Sequence, residues 1–261
     1  MKCWICGNKA DSGEHRIKRS DLVSVHGEGP YKKDKTLLMM KDGKEIKIQG
    51  PNSKYLKYSK SLCRQCNGTA TQRFDNAYSR FIDYLNEQES EILAKRLIDF
   101  ENVYGENYEA EQRRLYKYFL KSFGCRLVEA GKSVPKNLVE IFNLKQFRTN
   151  LFITFGVNED KVLLLQDNVR IAGNGVIEGT EIVGSPDNFT ARYSEYYSFL
   201  HIFYWYNCDW DGRFGARWVA DSKYIYLGSF SPLPATMRKD LKEKIKESQP
   251  TVPADSLKAR R

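Results

Sequence analysis

Two short cysteine-bearing stretches, Cys3-Trp4-Ile5-Cys6 and Cys63-Arg64-Gln65-Cys66-Asn67, decide how the N-terminal part of this chain folds. The spacing within each pair lets both sulfurs reach one metal ion, and two such pairs can complete a tetrahedral site. We therefore predict a structural zinc site formed by Cys3, Cys6, Cys63 and Cys66. Four thiolates leave no open coordination position, so the zinc would stabilise the fold and take no part in chemistry.

The segments around the cysteines give a mixed pattern. Residues 1–30 contain several glycine breakers and are predicted to be irregular. Residues 36–40 and 45–49 flank an Asp-Gly turn, which predicts a β-hairpin. After the second cysteine pair, large apolar residues recur at helical spacing and predict a helix over about 71–86.

The rest of the chain divides into a helical part and a β-rich part. Further helices are predicted at 88–100, at 107–129 and from Pro135 onward. Short strands are predicted at 151–157, 161–166, 169–172, 189–193, 218–220 and 224–227. Residues 196–206 are so apolar that the pattern fits a strand or a buried helix. A basic helix is predicted at 236–247, followed by a frayed tail.

These elements predict an α+β fold in several parts. The predicted units are an N-terminal zinc-containing module at 1–86, a helical connector at 87–148, a β-rich aromatic domain at 149–235, and a basic C-terminal helix and tail at 236–261. A chain of 261 residues is long enough for one large domain or two modest ones.

The basic charge is concentrated in the cysteine module and the tail. Residues 1–75 carry 16 Lys and Arg against 8 Asp and Glu, whereas residues 76–235 carry 18 against 21. A basic face favours a polyanionic partner, nucleic acid first, although an ordinary solvated lysine-rich surface gives the same count. No apolar run is long enough to span a membrane, and the N-terminus lacks the apolar stretch of a signal peptide. We therefore expect a cytoplasmic protein with no membrane partner.

The order of these features resembles a known nuclease family. A cysteine pair, Glu14-His15, a hairpin, a second pair followed by Asn67, and a helix together resemble the HNH, or His-Me finger, endonucleases over residues 1–85. The resemblance implies a zinc-stapled ββα-metal module, treble-clef-like in shape, with trailing helices. It also implies metal-dependent hydrolysis of DNA phosphodiester bonds, and it suggests a setting in restriction or antiviral defence.

The resemblance assigns roles to three residues. His15 would be the general base that activates water, because a neutral imidazole can accept a proton near pH 7. Glu14 and Asn67 would hold a catalytic Mg²⁺ or Mn²⁺, which prefers oxygen ligands. The middle asparagine of the family has no match, and an additional ligand found in some members would fall on Thr71. Taken outside this context, Glu14 and His15 fit an ordinary surface pair better than a catalytic site.

Five basic residues near these positions are candidate phosphate contacts. Arg16, Lys18 and Arg19 follow the histidine, and Lys60 and Arg64 flank the second cysteine pair. Such residues would position a nucleic acid without reading its sequence. Each of them also fits a solvated surface.

The aromatic residues of the second half support two interpretations. Residues 193–230 hold 14 of the 34 aromatic residues of the chain, which predicts either a β-domain core or a surface on which bases stack. Residues 149–235 could also mediate a homodimer or contact a protein partner. Two other functions remain open, namely a zinc-knuckle protein that binds nucleic acid without cutting it, and a protein-interaction component of a toxin or defence system.

Overall fold

A computed structural model describes residues 1–32, 37–41, 44–145, 148–166, 175–185 and 188–248 of the chain. Within these ranges the fold mixes helices and sheets, as the sequence predicts. The predicted strand at 169–172, the Asp-Gly turn of the hairpin and nearly all of the tail lie outside the described residues.

The N-terminal part contains one short helix and one hairpin. Helix α1 (Arg19–His26) precedes strands β1 (Leu37–Lys41) and β2 (Lys44–Ile48), which pair antiparallel. The hairpin confirms the prediction, whereas α1 falls in a region predicted to be irregular. This helix spans only two turns and buries Leu22 and Asp21, so it lacks the repeated apolar spacing that marks a longer helix.

The helical part follows the apolar pattern of the sequence, except that the helix predicted at 88–100 ends at Lys95. Residues 97–99 form a strand instead, because they pair with the distant residues 224–226. Its helices are α2 (Gln72–Glu87), α3 (Glu89–Lys95), α4 (Phe100–Tyr104), α5 (Tyr108–Glu129) and α6 (Lys136–Glu140), with strand β3 (Leu97–Asp99) between α3 and α4. The apolar residues at helical spacing in α2 are all buried, namely Phe74, Tyr78, Phe81 and Leu85. Helix α6 begins directly after Pro135, as predicted.

A five-stranded mixed sheet forms the β-rich part. Its strands are β4 (Leu151–Asn158), β5 (Gly175–Gly184), β6 (Phe189–Tyr197), β7 (Leu200–Tyr206) and β9 (Gly228–Phe230), in the order β5-β6-β7-β4-β9. All neighbours are antiparallel except β4 and β9. Strand β8 (Tyr224–Tyr226) pairs instead with β3. The ambiguous stretch 196–206 is therefore the end of β6, a tight turn and β7.

Two predicted strands, at 161–166 and 218–220, are wrong. Residues 161–166 belong to helix α7 (Glu159–Gln166), in which the Asn158 side chain accepts a hydrogen bond from the Lys161 amide at 3.2 Å. A polar cap followed by acidic residues is a helix-start signal, and here it prevails over an apolar run that resembles a strand. Residues 218–220 form no strand, although Trp218 makes a single bridge to Ile153. The basic helix is confirmed as α8 (Ala235–Ser248).

Helix α5 lies at the centre of the largest hydrophobic core. Its Phe119 is fully buried and contacts the rings of Phe81 in α2, Phe155 in β4 and Tyr204 in β7. A helix that is buried on so many sides is typical of the centre of a large core. None of the helices in the described ranges is long and apolar enough to cross a membrane.

The N-terminal cysteines dock onto this central helix. Trp4 packs against Gly124 of α5, where a Cβ atom would overlap the indole ring, so the helix needs glycine at this point. Ser61 donates a hydrogen bond to the buried Cys125 thiol of α5 at 3.4 Å. The position of the cysteine pairs is therefore fixed by the same helix that organises the core.

Candidate metal centre and neighbouring residues

The four paired cysteines converge as predicted. The Sγ atoms of Cys3, Cys6, Cys63 and Cys66 all lie within 4.8 Å of one another, and those of Cys6 and Cys63 are 3.7 Å apart. A tetrahedral zinc with bonds of about 2.3 Å to four thiolates places its sulfurs about 3.8 Å apart. The donor set and the spacing both fit, so these cysteines could hold a metal ion such as zinc.

The first cysteine pair is formed by a tight loop. Lys2 bridges to Lys9, the Cys3 amide donates to the Asn8 carbonyl at 2.6 Å, and the Gly7 amide donates to the Cys3 carbonyl at 2.8 Å. Gly7 has φ of +79°, a conformation that favours glycine. The loop turns both sulfurs toward the same point.

The second pair forms a similar loop that leads toward α2. The Cys66 amide points at the Cys63 sulfur at 3.4 Å, and the Asn67 amide donates to the Cys63 carbonyl at 2.9 Å. The hydrogen bond from the Cys66 amide lowers the pKa of Cys63, whereas burial raises the pKa of Cys66. Four thiolates at this spacing repel one another, so a bound cation is needed to hold all of them deprotonated.

Two extended segments, residues 12–15 and 57–62, lie side by side. The first contains Glu14 and His15, and the second leads into the second cysteine pair. Ser12 pairs with Leu62, and His15 pairs with Lys57, both in antiparallel fashion. The backbone of residues 12–15 is thereby fixed against residues 57–62. The cysteine pairs at the ends of these segments hold the two together.

The Glu14 carboxylate is bound by a buried lysine. Glu14 Oε2 lies 3.0 Å from Lys121 Nζ, which also lies 3.1 Å from Asp75 Oδ1. The Lys121 side chain is only 1% exposed. Burial alone would lower the pKa of Lys121, but the two carboxylates more than offset this and raise it. The lysine is therefore a buried ammonium that joins the N-terminal segment, α2 and α5.

The sequence pattern alone does not identify Lys121 or Asp75. Lys121 lies 107 positions from Glu14, and nothing in the local pattern pairs the two. The available signal is a lysine placed between Leu120 and Phe123 in the apolar part of a helix. A charged residue at such a position is rarely fully buried unless it is paired.

His15 is partly buried and neutral at pH 7. Burial, and then the positive charges of Lys57, Arg19 and Lys121, lower the pKa of His15 to about 4. Its Nε2 atom is buried and has no hydrogen-bond partner among the described residues. In the neutral ring one of the two nitrogens carries no proton and can accept one.

One polar atom of the Asn67 side chain forms a hydrogen bond, and the other has no partner among the described residues. Its Nδ2 donates to the Ser12 hydroxyl at 2.9 Å, which fixes the side chain against the segment that leads to Glu14. Its Oδ1 is buried and finds no partner in the described part of the chain. Because buried polar atoms are rarely left unpaired, this oxygen is a candidate metal ligand.

Two of the five residues predicted to contact phosphate instead bind other parts of the protein. Arg16 forms an ion pair with Glu129 and lies over the Tyr58 ring at 4.6 Å. Lys18 donates to the Asp75 carbonyl at 2.8 Å and to the Ser79 hydroxyl at 2.7 Å. Both side chains tie the N-terminal segment to the helices.

The other three basic residues are exposed. Arg19 pairs with Glu28 at 2.5 Å, and Arg64 lies 3.6 Å from Asp11 while its side chain stays 86% exposed. Lys60 is also exposed. Surface ion pairs of this kind are weak, so these side chains remain accessible to another anion.

Comparisons of the chain with protein-family models, with curated proteins and with solved structures found no match.

Proposed function

We propose that this protein is a metal-dependent endonuclease of the HNH class that hydrolyses DNA phosphodiester bonds. The observation that carries the proposal is the convergence of the four cysteine sulfurs, because it holds the segment bearing Glu14 and His15 against the segment that leads to Asn67. The ion held by the cysteines would be a structural zinc in a ββα-metal, treble-clef-like module.

His15 is the proposed general base. Its pKa of about 4 keeps the ring neutral at pH 7, so it can accept a proton from an attacking water without first losing one. A phosphate anion near the ring would raise this pKa and strengthen the base. The neighbouring cations Lys57 and Arg19 would attract that phosphate.

Asn67 and Glu14 are the proposed ligands of a catalytic Mg²⁺ or Mn²⁺. The unpartnered Oδ1 of Asn67 fits this role, whereas Glu14 already shares Oε2 with Lys121. A bound divalent ion would supply charge neutralisation at the phosphate and at the leaving oxygen. Lys121 would hold the Glu14 carboxylate in a fixed position beside such an ion.

The wider setting follows from the resemblance alone. We propose a cytoplasmic role in restriction or antiviral defence, with exposed Arg19, Lys60 and Arg64 contacting the phosphate backbone. A homodimer, or a protein partner bound through residues 149–235, would allow both strands of a duplex to be cut.

A plasmid-nicking assay tests the proposed base. Supercoiled DNA is incubated with Mg²⁺ or Mn²⁺ and either wild-type protein, His15→Ala or His26→Ala. His26 is a matched control because it is also partly buried with a lowered pKa, but lies beside Tyr31. We expect His15→Ala to nick about 100-fold or more slowly, and His26→Ala to nick at the wild-type rate. Equal rates for wild type and His15→Ala would refute the assignment.

A second candidate function is a zinc protein that binds nucleic acid without cutting it. The specific observation in its favour is the Glu14–Lys121 pair, because a buried ammonium already neutralises the carboxylate that a catalytic ion would use. Under this alternative, wild-type protein would bind duplex DNA with a strong dependence on salt and would nick it with neither metal.

A further inference from the structure

A strongly basic groove lies between the start of α2, the first half of α5 and residues 142–145, and His15 is not among its lining residues. Its volume is about 440 Å³, within the range of small-molecule sites. Five cations line it, namely Arg73, Arg113, Arg114, Lys117 and Lys145. Within the described ranges, no Asp or Glu is among the lining residues.

Lys117 is the most deeply placed of these cations. It is 7% exposed, and its ammonium donates to the Phe142 carbonyl at 3.2 Å and to the Leu144 carbonyl at 2.7 Å. An ammonium has three N–H donors, so these two carbonyls leave one for another acceptor. Burial, and then the charges of Arg73 and Arg114, lower the pKa of Lys117 to about 8. An anion beside Lys117 would raise this pKa and stabilise the charged ammonium.

The charge of the groove is only partly neutralised by the protein. Arg113 pairs with Glu109 at 3.3 Å, and Arg114 pairs with Glu111 at 2.6 Å. For Arg73, Lys117 and Lys145, no carboxylate lies within ion-pair distance in the described part of the chain. Three cations around one cavity, one of them buried, form a site suited to a phosphate group.

The groove also offers some apolar surface. Phe74 and Phe142 line it but are only 2% and 6% exposed, so the accessible apolar side chain is Leu144, which is 45% exposed. Phe142 contacts the Trp4 ring edge-on at 5.4 Å, so the groove lies next to the first cysteine loop. A phosphate alone would leave this apolar surface uncovered, whereas a base attached to the phosphate could cover it.

We propose that this groove binds a nucleoside phosphate, either as a free nucleotide or as the terminal nucleotide of a strand. The phosphate would contact Lys117 and Arg73, with Lys145 at the rim, and the base would lie against Leu144. The site needs no contribution from His15, so it stands independently of the endonuclease activity.

Isothermal titration calorimetry on the full chain at low salt tests this site. The probes are adenosine 5′-monophosphate, adenosine, and a hexadeoxynucleotide with and without a 5′-phosphate. We expect the monophosphate to bind about tenfold or more tightly than adenosine, because the charged groups contact the phosphate. A preference for the free monophosphate identifies a nucleotide site, and a preference for the 5′-phosphorylated strand identifies a strand-end site.

Two double variants that remove the same charge test whether the nucleoside phosphate binds in the groove. The double variant Arg73→Gln/Lys145→Gln alters two exposed groove residues, and Lys136→Gln/Arg213→Gln removes the same charge at side chains that are 92% and 77% exposed elsewhere. We expect about a tenfold or greater loss of affinity for the first and wild-type affinity for the second. His15→Ala should bind the monophosphate like wild type. Equal losses in both double variants, or no binding of any phosphorylated probe by wild type, would overturn the proposal.

Discussion

The metal centre and the main core are stabilised by different means. Around the cysteines, the buried cluster contains few side chains other than the thiols, chiefly Tyr58 and Leu62. Around α5, the core extends from Phe74 to Leu227 and is built mostly of aromatic and aliphatic residues. A small cluster of this kind cannot offset the conformational entropy lost on ordering its loops, whereas the large core can. The comparison indicates that dependence on metal is confined to the N-terminal part of the chain.

Removing one cysteine ligand should give the largest difference between the metal centre and the main core. In Cys63→Ser we expect bound zinc to fall from about one ion per chain to none, because the site loses a thiolate ligand. Residues 1–70 should become sensitive to protease while the amide hydrogens of α5 stay protected from exchange. Cys208→Ser is the control, since this cysteine lies outside the cluster. Simultaneous loss of protection in α5 would show that the two regions are not separable.

Removing the buried lysine between the two regions should have the next largest effect. Lys121→Met leaves the carboxylates of Glu14 and Asp75 without their shared cation, at side chains that are only 14% and 18% exposed. We expect the zinc-loaded protein to lose about 3 kcal/mol in its free energy of unfolding, measured with urea. Lys95→Met removes an exposed ion pair and should leave the free energy of unfolding close to that of the wild type. Similar losses for the two variants would mean that Lys121 does not couple the regions.

A smaller, pH-dependent effect is expected within the main core. Burial raises the pKa of Glu195 to about 7, although a hydrogen bond from Tyr204 and the charge of Arg126 act in the opposite direction, and Asp21 adds a further small increase. The folded state therefore holds a proton on Glu195 between about pH 4.5 and 7 that the unfolded state has released, so this group destabilises the fold as pH rises through that window.

Glu195→Gln removes that titration. In urea unfolding we expect the free energy of unfolding of the variant to exceed that of the wild type by about 1–2 kcal/mol at pH 8 and by little at pH 5. Glu181→Gln is the control, because Glu181 is about half exposed and paired with Arg192. A gain of equal size at both pH values would show that Glu195 does not titrate in this range.

The parts of the structure that local pattern determines could be predicted from the sequence. The cysteine spacing predicted the cluster, and the apolar period of Phe74, Tyr78 and Phe81 predicted α2. The hairpin followed from its turn signal. Each of these depends on residues that lie close together in the chain, or on a metal that accepts only a few kinds of ligand.

The parts that depend on distant contacts could not be predicted. The pairing of Glu14 with Lys121, and of Arg16 with Glu129, joins residues more than 100 positions apart. The helix at Glu159–Gln166 depends on its Asn158 cap, and its apolar run alone also fits a strand. The division at residues 86, 148 and 235 and the catalytic roles of Glu14, His15 and Asn67 stay predictions.

X-ray absorption at the zinc edge of the wild-type protein, purified without added metal, tests the central claim most directly. We expect about one zinc per chain with four sulfur ligands at about 2.3 Å. A protein that carries no metal, or one whose zinc has nitrogen or oxygen ligands in place of sulfur, would contradict it.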